Sequence, residues 1–172
     1  MAASLLATSG MAVLERSHSD QRNSGARTAS ITQFKLASTL NPLQADYIVN
    51  RAYYMREQNM REQNRALAVD KVAIRDGLPS PAILYRQALE LRPHSGHIWA
   101  QYAKALYADV GDINGATSAL ERALTLAPYQ PAVLDIGIDL GVTVWDELQP
   151  HQRNMVGRSI DYLLHNNRHY LD

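Results

Sequence analysis

A nine-residue pattern that occurs three times constrains the fold of this chain more than any other feature. It reads FKLASTLNP at 34–42, YRQALELRP at 85–93 and LERALTLAP at 120–128. In each copy a bulky residue, an alanine and a leucine lie at i, i+3 and i+6, which is one face of a helix. The final proline prevents the helix from continuing. Each copy therefore predicts the closing turns of an amphipathic helix that ends just before the proline.

The segment between the second and third copies predicts one complete helical hairpin. The apolar residues of HIWAQYAKAL follow helical spacing, and Gly111 and Asp112 then supply a break and a helix N-cap. A second amphipathic face runs from Ile113 to Ala127. The predicted unit is a helix, a tight turn, a second helix and a proline stop.

Less regular versions of this unit flank the hairpin. The stretch QADYIVNRAYYM after Pro42 predicts another first helix, and PAVLDIGIDLGV after Pro128 predicts a third. In that third helix, Gly137 and Gly141 allow close packing but weaken the helix. A last helix is predicted at 150–166, and it lacks the closing pattern, as expected of a helix that caps a stack. Its predicted buried stripe is Val156, Ile160, Leu163 and Leu164.

The block MREQN occurs twice in succession, at 55–59 and 60–64. Five residues advance a helix by about 500°, so the two copies cannot turn the same side chains toward one face. We therefore predict a solvent-exposed extension of the preceding helix, followed by a new helix that is capped at Ser80 and Pro81. The alternative is a protrusion that contacts a specific partner.

The complete hairpin resembles the tetratricopeptide (TPR) repeat. The matching residues are Trp99, Tyr102, Ala103, Ala116, Leu120, Ala123 and Pro128. Pro93 and Pro128 are 35 positions apart, one more than the family's period. The resemblance implies an all-α fold, an α-solenoid of two to three antiparallel hairpins with a C-terminal capping helix, over residues 30–166. Residues 1–29 are predicted to be an N-terminal tail or linker, or the remnant of a membrane anchor, and 167–172 a C-terminal tail.

The resemblance also implies a binding groove. In TPR proteins the first helices line a concave surface, and partner contacts come from fixed positions of each repeat. Here those positions are Asp46, Val49, Tyr53, Arg56, His97, Ala100, Lys104, Tyr107, Asp135 and Asp139. Tyr53, Lys104 and Asp139 would form a row across the groove, and Tyr53 and Tyr107 are the strongest candidates because aromatic residues anchor interfaces. The alternative for each position is solvation or packing between repeats.

Composition and motifs argue against several other functions. Seventeen Lys and Arg balance seventeen Asp and Glu, so there is no electrostatic reason to expect nucleic acid as the main partner. The absence of cysteine excludes disulfides and thiolate chemistry. Neither a phosphate-binding loop nor a nucleophile motif occurs.

Histidines and aspartates are the only residues that suggest a reactive site. His94 and His97 are at i, i+3, and His165 and His169 are at i, i+4, but no third ligand accompanies either pair. Aspartates that might act as acid–base groups occupy positions ordinary for an exposed helix face: Asp135, Asp139 and Asp146. We therefore predict a chain that is not an enzyme, with no cofactor and no metal.

The predicted function is that of an interaction scaffold whose partner is another protein or a peptide segment. The stretch WDELQPHQRNMV at 145–156 is similar to a tail in TPR proteins of bacterial exopolysaccharide clusters. That likeness implies membrane-associated polysaccharide machinery as the partner and the periplasmic face of the inner membrane as the location, with the cytoplasm as the alternative. Two rival functions stay open. One is a half-TPR component of an RNA-processing assembly, which WAQYAKAL followed by GDINGATSALERAL resembles; the other is a small helical subunit that binds or modifies carbohydrate.

Overall fold

The computed structural model describes residues 24–67 and 80–166, with side chains described at 29–61 and 80–166. These ranges contain seven α-helices and no β-strand, which confirms the all-α class. The helices are α1 (Ser24–Leu40), α2 (Ala45–Leu67), α3 (Pro81–Leu91), α4 (Gly96–Ala105), α5 (Ile113–Leu126), α6 (Pro131–Thr143) and α7 (Pro150–Asn166). A π-helical turn (Leu106–Val110) follows α4, and a 3-10 turn (Trp145–Glu147) follows α6.

The three proline-terminated patterns end three helices, as predicted. Helices α1, α3 and α5 stop at Leu40, Leu91 and Leu126, each two residues before the proline. The bulky residue and the alanine of every copy are at most 2% exposed: Phe34, Ala37, Tyr85, Ala88, Leu120 and Ala123. The leucine of the pattern is not buried in any copy, and Leu40 is 57% exposed. A side chain on the last helical residue has no following turn to pack beneath, which limits how much of it the helix can bury.

The predicted helix starts are also present. Ser95 and Asp112 accept hydrogen bonds from the backbone N–H groups of Ile98 and Gly115, and thereby satisfy N–H groups that lack a partner within the helix. Ser80 does the same for α3, and Pro131 is the first residue of α6. The starts predicted at Ser80, Asp112 and Pro131 are therefore correct, and the cap at Ser95 is an additional one that the sequence analysis did not name.

The π-helical turn after α4 holds one residue more than an α-helical turn would. At its end, the N–H of Asp112 donates to the carbonyl of Leu106 at 3.0 Å, and the N–H of Gly111 donates to the same carbonyl. Gly111 adopts φ 75°, a left-handed conformation that favours glycine. A π-helical turn adds one residue to a helix without ending it. Because this turn begins after Ala105, the residues of α4 up to Ala105 keep ordinary α-helical spacing.

The duplicated block does not lie wholly in an exposed extension. It forms part of the continuous helix α2, in which Glu57 and Arg61 make an i, i+4 ion pair at 3.8 Å. Met55 is 5% and Arg56 9% exposed, whereas Met60 is 39% exposed. The prediction is therefore wrong for the first copy, because the buried face of α2 extends one turn further than its apolar spacing suggested.

Two other expectations need correction. Helix α1 begins at Ser24, so residues 24–29 are helical although the sequence assigned them to a linker. The prediction relied on the scarcity of large apolar residues in this stretch, yet a small polar residue directly after it, Ser30, is fully buried. Of the stripe predicted for α7, only Val156 is buried, whereas Ile160 and Leu163 are half-buried and Leu164 is 55% exposed. The predicted tails at 1–23 and 167–172 lie outside the described residues.

The chain divides between Leu91 and Arg92 into two compact units. In the first unit α1 packs on α2, and α2 packs on α3. Phe34 of α1 stacks on Tyr54 of α2, with ring centroids 6.0 Å apart.

In the second unit α4 packs on both α5 and α6, and α7 packs on α5 and α6. The start of α4 approaches the end of α5 so closely that a Cβ at Gly96 would lie 2.6 Å from the Cβ of Ala127. Helices α4 and α5 therefore run antiparallel.

Candidate functional site

An ion pair joins two of the predicted contact residues across neighbouring helices. The Nζ atom of Lys104 on α4 lies 3.6 Å from Oδ2 of Asp139 on α6. The side chains are 35% and 69% exposed, so both charged groups are accessible from solvent. Because α4 and α6 pack directly on each other, this pair marks a surface that both helices share. We use the name α4–α6 face for the predicted contact residues of α4, of the turn that follows it and of α6 that are not buried: His97, Lys104, Tyr107, Asp135 and Asp139.

The remaining predicted residues of the second unit differ in accessibility. Asp135 is exposed one helical turn before Asp139, and no described side chain pairs with its carboxylate. Tyr107 is half-buried within the π-helical turn. Ala100 is fully buried, so its side chain offers no surface to a partner. The α4–α6 face thus keeps four of the predicted residues at least partly accessible beside Asp139.

His97 is the one imidazole of this face, and burial lowers its pKa because the charged form loses hydration. Its Nδ1 atom is buried and has no hydrogen-bond partner among the described atoms. The ring is consequently a neutral group near pH 7, rather than a second cation beside Lys104.

The predicted residues of the first unit are mostly engaged within the protein. Asp46 accepts a hydrogen bond from Nε2 of Gln44 at 3.0 Å, and Val49 is half-buried. Arg56 is only 9% exposed. Tyr53 is the accessible member of the set, with 44% of its surface exposed. Its ring meets the ring of Tyr54 edge-on, with centroids 5.1 Å apart, which fixes its orientation.

A polar network between α5 and α7 was not foreseen from the sequence. Oε2 of Glu121 accepts from Nε2 of Gln152 at 2.9 Å and lies 3.1 Å from Nε2 of His151. Gln152 is 7% exposed, and its Oε1 accepts from the backbone N–H of Gln149 at 2.9 Å. In a capping box, the side chain of the third helical residue accepts a hydrogen bond from the backbone N–H of the N-cap residue, as Gln152 does here for Gln149. The sequence signal was weak because residue 149 is not Ser or Thr.

This network lowers the pKa of Glu121. The hydrogen bond from Gln152 is the largest cause and that from His151 the next, since both favour the carboxylate form. The Glu121 carboxylate therefore holds the first turn of α7 against α5.

Each tryptophan of the second unit has an arginine over its ring. The guanidinium carbon of Arg122 lies 5.7 Å from the ring centroid of Trp99, whose Nε1–H donates to the carbonyl of Pro93 at 2.8 Å. Arg153 lies 5.7 Å from the ring centroid of Trp145. One face of each indole is thus occupied within the protein.

The described ranges offer neither a cluster of metal ligands nor a membrane-spanning helix. Within 24–67 and 80–166, no three His, Asp or Glu side chains converge as metal ligands would. His169, half of one predicted histidine pair, lies outside these residues. None of the helices that the structure describes combines the length and apolar character needed to cross a bilayer.

Comparison with known proteins adds no family assignment. No protein-family profile matches the chain, and a search of curated proteins finds no match.

Proposed function

We propose that this protein is a non-enzymatic interaction scaffold with TPR-like helical hairpins, and that it binds a segment of another protein along its first helices. The observation that carries the proposal is the Lys104–Asp139 ion pair. The TPR resemblance gives both residues the same contact position in successive repeats, and their charged atoms lie 3.6 Å apart between α4 and α6. Packing of α4 on both α5 and α6 is what stacked hairpins require, since each first helix must touch its own second helix and the next first helix.

The chemistry of the α4–α6 face suits a peptide that carries both apolar and basic side chains. Tyr107 supplies aromatic surface, and Asp135 supplies an exposed carboxylate without a partner in the described residues. Lys104 already neutralises Asp139. A basic side chain of the partner would therefore pair preferentially with Asp135. Because residues 145–156 resemble a tail of exopolysaccharide-cluster TPR proteins, components of polysaccharide machinery are the first partners to test.

The test is capture of the partner by a double variant, Tyr53→Ala with Tyr107→Ala. Interface tyrosines often contribute about 2 kcal/mol each, so the affinity should fall at least about 30-fold for each anchor that is removed. Tyr129→Ala is the matched control, because Tyr129 is 64% exposed and lies outside the first helices. Helical content should be unchanged in the double variant, because neither Tyr53 nor Tyr107 belongs to the buried core.

Unchanged capture by the double variant, with normal capture by the control, would remove the groove hypothesis. Asp139→Asn distinguishes the carbohydrate alternative. A variant that retained its protein partner but lost a carbohydrate-directed activity would favour that function instead. Fractionation separates the remaining alternative, because a nuclear ribonucleoprotein fraction would support an RNA-processing role.

A further inference from the structure

The side of α7 that faces away from α5 and α6 is unusual for the last helix of a stack. Helix α7 buries Gln152, Val156 and Ser159 against the unit. Around Gly157, on one flank of the helix, seven residues are exposed or half-buried, and we call this flank the outer face of α7. Its members are Pro150, Arg153, Asn154, Gly157, Ile160, Asp161 and Leu164. The exposed residues His151, Arg158 and His165 lie on the remaining side. Terminal helices of repeat stacks usually turn a polar surface outward, whereas the outer face of α7 includes two large aliphatic residues.

The centre of the outer face is open to close approach. A Cβ at Gly157 would have no heavy atom within 4 Å. Glycine in the middle of an exposed helix costs about 1 kcal/mol relative to alanine, so the helix is weakened with no packing reason inside this unit. Ile160 and Leu164 follow at i+3 and i+7 on the same side, and Leu164 is 55% exposed. A glycine flanked by such residues allows another helix to approach within about 8 Å.

The charges of the outer face are arranged symmetrically around Gly157. Arg153 lies four residues before Gly157, and Asp161 lies four residues after it. In an antiparallel helix pair that crosses at Gly157, Arg153 of each helix faces Asp161 of the other, and both charges lie about 6 Å from the crossing point. This self-complementarity is what a two-fold symmetric interface requires.

Neither charged group forms an ion pair with another side chain in the described ranges. Two backbone carbonyls hold Arg153, because its Nε donates to Trp145 and its Nη2 donates to Asp146, both at 3.1 Å. The same guanidinium lies over the ring of Trp145, with its carbon 5.7 Å from the ring centroid. The carboxylate of Asp161 is exposed and forms no ion pair with any side chain in the described ranges.

We propose that the outer face of α7 binds the same face of a second copy of this chain, in an antiparallel two-fold pair centred on Gly157. The zero net charge of the chain supports this, because two copies do not repel each other at long range. A helix of this length is about 25 Å long, and a contact of that length and about 10 Å width is smaller than a standard interface. The dimer is therefore weak and forms as the concentration rises. This inference does not depend on the proposed groove.

The test is site-directed cross-linking of the full chain with Gly157→Cys. The chain contains no cysteine, so the new thiol can form a disulfide only with its equivalent in another copy. Residue 157 lies on the proposed axis, and the open space there accommodates the side chain. Under mild oxidation we expect covalent dimers whose yield rises with protein concentration. The control is Ser118→Cys, an exposed position on α5 whose cross-linking reports random collision alone.

Charge reversal tests the geometry of the pair. Adding Asp161→Arg to Gly157→Cys sets two arginines opposite each other, so the dimer yield should fall at least about fivefold. Asp135→Arg in the same background is the matched control, since it makes the same charge change on α6 and should leave the yield unaltered. Both sites are exposed, and circular dichroism verifies that each variant is folded.

Three results would overturn the proposal. The first is cross-linking at residue 157 no faster than at residue 118. The second is a dimer yield at residue 157 that is insensitive to Asp161→Arg. The third is sedimentation that shows a monomer at every concentration, in which case another protein or nothing at all covers this face.

Discussion

Glycine at position 141 is predicted to be required by packing, and Gly141→Ala is the substitution that tests it. Gly141 lies within α6, where a Cβ would be 2.6 Å from Cγ2 and 2.9 Å from Cγ1 of Val156. Ordinary carbon–carbon contacts begin at about 3.5 Å, so Val156 or the helix must move by most of an ångström. Val156 is 1% exposed and β-branched, with one strongly preferred side-chain rotamer in a helix. It has little freedom to move.

The expected magnitude is the difference between two opposing effects. Replacing glycine by alanine inside a helix stabilises it by about 1 kcal/mol. Inserting a methyl group into a filled site costs about 1–3 kcal/mol. The net effect of Gly141→Ala is then a loss of about 1 kcal/mol in the free energy of unfolding, or a fall of about 2–4 °C in melting temperature for a chain of this size.

Two other glycines of the same unit provide the controls. Gly157→Ala meets no atom within 4 Å and should raise the free energy of unfolding by about 1 kcal/mol. Gly137→Ala meets Cδ2 of Leu124 at 2.9 Å, the far end of a more flexible side chain, and should fall between the two. The difference between Gly141→Ala and Gly157→Ala removes the contribution of helix propensity, so it measures the overpacking cost directly.

Urea unfolding followed by circular dichroism measures all three variants, at low protein concentration so that self-association at Gly157 does not contribute. The expected order of stability is Gly157→Ala, then Gly137→Ala, then Gly141→Ala. Equal gains at positions 141 and 157 would refute the reasoning. They would mean that α6 and α7 do not approach each other as closely as the distance to Val156 requires.

Two further predictions concern acid stability and the π-helical turn. Because the folded-state pKa of Glu121 is lowered, its contribution to stability is present above the usual glutamate pKa of about 4.3 and is lost as the pH falls through the folded-state value. The urea midpoint of the wild type should therefore exceed that of Glu121→Gln at pH 7, and the gap should close in acid; a gap that persists at low pH would contradict this. Deleting the exposed residue Ala108 should convert the π-helical turn to an α-helical one and leave a folded protein, as judged by helical content and cooperative melting. Deleting Ser118 instead should unfold the second unit, because it turns the buried Leu120 and Ala123 by about 100° about the axis of α5.

Local patterns in the sequence were sufficient to predict most helix boundaries. A proline, a capping side chain or a left-handed glycine acts over one turn, so the ends of α1, α3 and α5 and the start at Asp112 could be read from a few residues. The extent of burial could not be read in this way. Arg56 shows the difference, because it is polar, lies in a repeated block and is nevertheless 9% exposed.

The Glu121–Gln152–His151 network illustrates a second limit of sequence reasoning. Its members are separated by about thirty positions and carry side chains that are common on helix surfaces. Only the packing of α5 on α7 makes one carboxylate oxygen the acceptor for two neighbouring side chains. A hydrogen bond between distant residues leaves no periodic trace, so no local pattern could have indicated it.

Only some of the contact positions inferred from the repeat pattern are accessible to a partner. A residue counted as a contact position faces the expected direction only while the α-helical spacing before it is uninterrupted. Each inserted residue rotates the remainder of the helix by about 100°. In α4 the extra residue is confined to the π-helical turn after Ala105, so Lys104 retains its phase and meets Asp139. Ala100 also precedes the turn, yet its side chain is buried. Uninterrupted helical spacing therefore fixes the direction in which a residue faces, but it does not make that residue accessible to a partner. The α4–α6 face is therefore the part of the predicted groove on which binding should be tested first.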